Sequence, residues 1–347
     1  MTTPYATEAF LHQILGKALA AGASDVHLKV GQAPGARVRG DLVFFRGDKL
    51  RAEDTGAAAR LLFGADTRWE HATDVVGIYD ATPVGRFRVS AYGHAGSTSL
   101  VLRSIPLEIP SLASLGLPAA AASLVEAEHG LVLLAGGSGS GKSTTAAALV
   151  AHLNEGFARH VITFEAPVEH LHQDRRGIVS QRSVGIDTPS VAEGLRAALR
   201  NDADVLYVAD LADPAALEAA IDAADLGHLV LAAVAAPDIA RAVARLSILG
   251  RAVPAFAGRF SSVFKGGLGQ RLLRKRDASG LVPAYELLVA TSAVREALRG
   301  DVEDGAALAA ALGELMEKGA STHGMQSLDV HMKKLAADGV IGRPSGG

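Results

Sequence analysis

The chain predicts an α/β protein in two parts, and three observations carry that reading. From Gly130 onward, short apolar runs at 131–135, 160–164, 205–209 and 229–234 alternate with Ala-rich stretches. Apolar strands separated by helices indicate a mostly parallel sheet covered on both faces. The first hundred residues instead mix one amphipathic helix with short alternating strands, the pattern of an α+β domain. Between these parts, residues 105–118 hold Pro106, Pro110 and Pro118 without a helical period and read as a linker.

Element by element, residues 9–23 read as a helix ending near Gly22. Asp25-Val26-His27-Leu28-Lys29-Val30 and Ala36-Arg37-Val38-Arg39 alternate as strands, with Gly40-Asp41 as a turn. Residues 85–92 and, more loosely, 98–103 alternate charged with apolar side chains and read as two more strands. Residues from about Thr291 read as helices. The expected boundaries are 1–104 for the N-terminal domain, 105–120 for the linker and 121–290 for the core. A helical region over 291–341 and a disordered tail over 342–347 complete the chain.

Composition excludes several classes. At 347 residues the chain can bury a large core in two domains. The longest uninterrupted apolar run, 229–236, is far short of the roughly 20 residues of a membrane span. The first residues, Met1-Thr2-Thr3-Pro4-Tyr5, carry no signal-peptide pattern, so a cytosolic protein without a transmembrane segment is expected. There is no cysteine, which removes disulfides and thiolate zinc sites. A net charge of −3 argues against a protein that coats nucleic acid. The cationic residues Lys265, Arg271, Arg274, Lys275 and Arg276 lack interleaved aromatics and read as a solvated face. His170 and His172 lack further nearby ligands and make a poor metal site.

The chemistry centres on Gly136-Gly137-Ser138-Gly139-Ser140-Gly141-Lys142-Ser143, which fits G-x-x-x-x-G-K-[ST] at every fixed position. An apolar strand precedes it, and an Ala-rich helix over 143–153 follows. Glycines let such a loop curl its N–H groups toward phosphate oxygens, and the helix adds its positive end. Lys142 is placed to reach the β- and γ-phosphates and Ser143 to ligate Mg²⁺, with Thr144 completing the segment. A dinucleotide fingerprint read from Gly139 fails, because it needs glycine where Thr144 stands. Binding groups in parallel sheets gather at strand carboxyl ends. Glu165, Asp210 and His228, each bordering an apolar strand, are therefore candidate catalytic residues.

Several segments together resemble the PilT-type ATPases of the type II/IV secretion superfamily. The resemblance runs from about Phe10 to Ile341. Gly22-Ala23-Ser24-Asp25-Val26-His27 resembles an early family segment, and Thr163-Phe164-Glu165-Ala166-Pro167-Val168-Glu169 resembles the "Asp box". Gly227-His228-Leu229-Val230 resembles the start of the "His box". Ala293-Val294-Arg295-Glu296-Ala297-Leu298-Arg299 and Gly324-Met325-Gln326-Ser327-Leu328-Asp329 resemble segments of the retraction branch.

The resemblance implies a PAS-like N-terminal α+β domain, a RecA-like P-loop ATPase domain and C-terminal helices. It implies a homohexamer that binds Mg²⁺–ATP at subunit boundaries and couples ATP hydrolysis to domain rotation in type IV pilus retraction. Such a protein would sit peripherally at the inner membrane on a pilus platform protein. Glu165, Glu169, Asp210 and His228 would then serve catalysis, Asp210 with Ser143 would hold Mg²⁺ through water and nucleotide, and Arg86, Arg88 and Arg103 would act in trans as arginine fingers.

Departures cluster on the hydrolytic side. Asp210 stands where the family has glutamate, Ala212 replaces an arginine, Ala166 an aspartate, and Ala235 the second histidine of the His box. These changes predict binding with slowed turnover. The alternative is a catalytically impaired paralogue acting as a structural or regulatory partner of an active pilus ATPase.

Overall fold

The structure is a computed structural model that describes residues 3–70, 74–277, 279–300 and 304–342. It divides into two compact units, one of 1–108 with Pro167–Leu171, the other of Ile109–Ala166 with 172–347.

The first unit contains α1 (Glu8–Ala20), β1 (Ala23–Leu28), β2 (Gly35–Val38), β3 (Asp41–Phe44), α2 (Ala52–Phe63), β4 (Asp74–Ala81), β5 (Gly85–His94) and β6 (Ser97–Ile105). Its strands form one antiparallel sheet in the order β3-β2-β1-β6-β5-β4. The helix expected over 9–23 stops at Ala20, where Gly22 takes a positive φ and opens β1. Leu11 and Leu15 of α1 pack with Leu28, Phe87 and Leu102 of the sheet, all buried. Strands β3 and β4 lie outside the sequence reading. All four residues of β3 are exposed, so no alternation marks it, and its pairing with β2 is what makes it a strand.

The second unit begins with α3 (Leu112–Leu115) and α4 (Ala119–Val125). There follow β7 (Gly130–Gly136), α5 (Lys142–Gly156), β8 (His160–Glu165), β9 (Ile178–Ser183) and α6 (Val191–Ala198). Then come β10 (Val205–Val208), α7 (Pro214–Asp225), β11 (Leu229–Ala235), α8 (Ile239–Leu249), α9 (Phe256–Val263), β12 (Phe264–Arg274) and β13 (Leu281–Val289). Helices α10 (Ser292–Arg299), α11 (Gly305–Lys318), α12 (Ala320–His323) and α13 (Leu328–Ala337) end it. Residues 343–347 of the expected tail lie outside the described residues.

The sheet order is β13-β12-β7-β11-β10-β8-β9. All neighbours run parallel except β12 and β13. Every residue of β7 is buried because helices cover both faces. Leu131 and Leu133 join the core on one face, while Val132 and Leu134 join the core on the other. Each such side chain contributes about 1.5–3 kcal/mol through the water it sheds. The sheet thus holds the carboxyl end of β7, and the loop that follows it, on a rigid base.

Strands β9, β12 and β13 were not legible in the sequence. β12 contains Gly266, Gly267 and Gly269, a composition that argues against a strand, yet it pairs with β7 on one side and β13 on the other. Tertiary pairing overrides local preference there. No helix among the described residues is long and apolar enough to cross a membrane.

Candidate functional site

The loop 137–141 leaves β7 at its carboxyl end and enters α5 at Lys142. Gly141 caps the helix with φ 91°, a left-handed conformation that a side chain strains. A Cβ there would lie 2.6 Å from the Gln270 amide nitrogen, and one on Gly136 would lie 2.9 Å from the Gln270 carbonyl oxygen. The loop therefore curls against β12, and only glycine fits at these two points. Gly137, Ser138 and Gly139 are exposed, whereas Ser140 is buried.

Lys142 lies back across the mouth of the loop. Its Nζ donates to the Gly136 and Gly137 carbonyl oxygens at 2.7 and 2.8 Å. Burial pushes its ammonium below the ordinary lysine range, and the Asp210 carboxylate opposes that shift. Lys142 and Asp210 thus share one electrostatic environment. Ser143, next on α5, is exposed, and Thr144 is half-buried. A cradle of glycine backbone, a half-buried ammonium, an exposed hydroxyl and a facing carboxylate suit a nucleoside triphosphate with Mg²⁺.

Gln270 is the residue that sequence reasoning missed. It lies on β12, 5% exposed, where its Nε2 donates to the Ser140 carbonyl oxygen at 2.8 Å. Its Oε1 accepts from the Thr145 hydroxyl at 2.7 Å. One side chain so ties the loop to the first turn of α5. The available signal was a lone uncharged polar residue inside Gly-Gly-Leu-Gly-Gln, a segment whose glycines hid the strand.

Of the predicted acids, Glu165 ends β8. Its Oε1 accepts from the Thr163 hydroxyl at 2.7 Å and from Gln181 Nε2 at 3.2 Å, so β8 and β9 together fix its direction. Asp210 is exposed just past β10, where the flanking Ala209 and Leu211 N–H groups donate to Phe164 and Ala233 oxygens at 3.0 and 2.8 Å. Both acids therefore stand at strand carboxyl ends, on the side of the sheet that carries the loop. Ala235 sits directly across from Gly136 in the register of β11 on β7. The position that the sequence resemblance assigns to a second histidine thus borders the loop with a methyl group only.

His228 is not brought to this place. It precedes β11, and its carbonyl oxygen accepts from Gly130 N–H at the opposite end of β7. Six residue steps of strand separate Gly130 from Gly136, about 20 Å at the usual rise. Its Nδ1 instead meets the Ala203 carbonyl oxygen at 2.7 Å. The strand it opens was read correctly; the end was wrong, because a residue before a strand sits at the amino edge.

Glu169 and the three arginines also find partners elsewhere. Glu169 belongs to the first unit, where Oε1 accepts from Arg88 Nη1 at 2.8 Å. Arg86 donates to the Glu169 and Val168 carbonyl oxygens and pairs with Asp80 at 2.7 Å. Arg103 pairs with the buried Asp25 at 2.8 Å. All three guanidinium groups are thus engaged within their own chain.

A family model for type II/IV secretion system proteins matches residues 5–292. The Type IV pilus retractation ATPase PilT of Pseudomonas aeruginosa is 31% identical over 93% of this chain and 92% of its own length. A Twitching motility protein of Neisseria gonorrhoeae is 31% identical over 89% of this chain and 82% of its own. Among solved structures, the pilus retraction motor PilT with bound ADP superposes with a TM-score of 0.81 at 33% identity, covering 96% of this chain and 94% of that one. The fold is accordingly that of a RecA-like ATPase with an N-terminal domain. The chain belongs to the type II/IV secretion system protein family.

Proposed function

We propose that this protein is an ATP-driven motor subunit of the PilT kind, which works as a homohexamer in type IV pilus retraction and twitching motility. The observation that carries the reading is the glycine loop closed by Lys142 at the carboxyl end of β7, in a chain 31% identical to PilT along nearly its whole length. Gly136 to Thr144 hold the triphosphate. Ser143 and Asp210 would hold Mg²⁺, which when bound would supply positive charge against the phosphates.

Glu165 and Asp210 are the acids available to orient an attacking water. Glu165 is pre-aimed by Thr163 and Gln181, which supports its role as the better-fixed of the two. Asp210 is one methylene shorter than the family's glutamate, so its part rests on charge and metal rather than on reach. The protein acts on the cytoplasmic side, peripheral to the inner membrane, with a pilus platform protein as its partner.

Steady-state ATPase turnover of the purified oligomer, beside Lys142→Ala, tests the reading. Turnover that Lys142→Ala abolishes is the expected result. Tight nucleotide binding with no turnover above that control overturns the motor and leaves a nucleotide-held partner of an active paralogous ATPase.

A further inference from the structure

Arg86 and Arg88 stand two residues apart on β5, so both side chains leave the same face of the sheet. Arg86 uses all three of its guanidinium nitrogens. Nε donates to the Glu169 carbonyl oxygen at 2.9 Å, Nη2 to the Val168 carbonyl oxygen at 3.1 Å, and Nη1 to Asp80 at 2.7 Å. Arg88 closes the grip with its 2.8 Å pair to the Glu169 carboxylate. The Arg86 side chain is 12% exposed, too enclosed for a surface ion pair. A planar fork that satisfies two consecutive loop carbonyls fixes the backbone itself, which a single charge pair does not.

The segment so held is unusual in its ownership. Pro167–Leu171 belongs to the first unit, while Ala166 before it and His172 after it belong to the second. Glu165, the last residue of β8, is two positions upstream of the held segment. Three residues of chain, from Glu165 to Val168, span at most about 11 Å when fully extended. A displacement of the first unit that would carry Val168 farther than this from Glu165 must pull on the end of β8.

We infer that Arg86 and Arg88 are positioning residues that act in cis: they anchor 167–171 in the N-terminal unit and thereby transmit that unit's movement to Glu165 of the same subunit. This assignment rests on the reading of Glu165 as a catalytic group, and it replaces the arginine-finger role for these two side chains. The chemistry matches the geometry. Arg86 has each of its guanidinium nitrogens on a backbone carbonyl or on Asp80, and Arg88 is paired with Glu169, so a neighbour's phosphate would have to displace these partners.

The test uses the full-length oligomer and the variants Arg88→Glu, Glu169→Arg and the double reversal carrying both, with Arg88→Gln as a milder substitution should the reversals fail to fold. Two readouts are taken: ATPase turnover with nucleotide affinity, and hydrogen exchange of the 168–171 amides. Each single reversal, and Arg88→Gln, is expected to lower kcat by roughly 10- to 100-fold, the scale of a misplaced catalytic group, with nucleotide Kd within about 3-fold of the parent. The 168–171 amides lose protection in step. The double reversal restores both readouts.

Two results overturn the inference. One is a double reversal that regains protection while kcat stays as low as in Arg88→Glu. The other is recovery of turnover when Arg88→Glu is mixed with Lys142→Ala, since only a residue acting across subunits complements that way. If the parent protein shows no Lys142-dependent turnover, the motor reading fails by itself. Hydrogen exchange then decides the anchor alone, and unchanged protection in Arg88→Glu or Arg88→Gln overturns it.

Discussion

Replacing Gln270 with alanine removes a side chain that joins the loop to α5, and its cost can be worked from the two bonds it makes. The Ser140 carbonyl oxygen loses its 2.8 Å donor and the Thr145 hydroxyl its 2.7 Å acceptor. Thr145 is 1% exposed, so water does not readily replace the partner. A typical hydrogen bond contributes about 1 kcal/mol net, and a buried group left unpaired costs about 1–3 kcal/mol. Thr145 can turn its hydroxyl toward Tyr285, which lies within reach, and this keeps the total near the lower end. The expected loss is about 2–3 kcal/mol in the second unit.

If roughly 2 kcal/mol of that loss falls on the nucleotide-ready form of the loop, the apparent affinity for ATP drops about 30-fold. The chain supplies its own control, because its single tryptophan, Trp69, is buried in the core of the first unit. Urea unfolding followed by far-ultraviolet circular dichroism and by Trp69 fluorescence should show an earlier circular dichroism transition in Gln270→Ala, with a smaller change at Trp69. A fluorescent ATP analogue gives the affinity. Unaltered unfolding together with parental affinity would refute the reasoning, since neither bond would then support the loop.

Three other outcomes follow from the same structure. Gly141→Ala places a Cβ 2.6 Å from Gln270 Nε2 at φ 91° and should weaken ATP binding at least about 10-fold in a nucleotide titration, from about 1–2 kcal/mol of left-handed strain alone. Glu286 is buried on β13 and its carboxyl is pushed up to about 7, chiefly by desolvation, with the Asp238 carboxylate adding to the shift. The folded state therefore holds this proton more tightly than the unfolded chain. Stability should fall by on the order of 3 kcal/mol as pH rises from about 4.5 to about 7, and Glu286→Gln should lose that slope in urea titrations across the range. Burial works to raise the Asp25 carboxyl, but hydrogen bonds from Ser24 and Arg103 outweigh it and hold it below its ordinary value. Arg103→Ala should thus destabilise the first unit by about 2 kcal/mol at neutral pH, read by Trp69 fluorescence. The difference should shrink as the pH falls below the ordinary carboxylate range, because the stability that Arg103 contributes is lost once the folded-state carboxyl takes up its proton.

The sequence by itself determined the parts whose physics is local. The glycine loop, the strand before it and the helix after it are contiguous, so pattern alone located Gly136 to Thr144 and assigned their chemistry. Apolar runs bounded by helices announced β7, β8, β10 and β11, because strands buried on both faces have no polar positions to confuse the period. The helical ending from Thr291 was legible as well, because helix formation is decided by residues close together in the chain.

Tertiary structure decided what depends on partners distant in the chain. Strand order places Asp210 and Glu165 on the loop's side of the sheet and leaves His228 at the far edge, a distinction that a motif cannot make. Pairing across 125 residues recruits Gln270 to Thr145 from a glycine-rich strand that propensity would reject. The arginines of β5 looked free in the sequence because Val168 and Glu169, the groups that engage them, lie more than 80 residues away. A side chain's period and neighbours along the chain are written locally, but its partner is chosen by whichever backbone the fold brings within 3 Å.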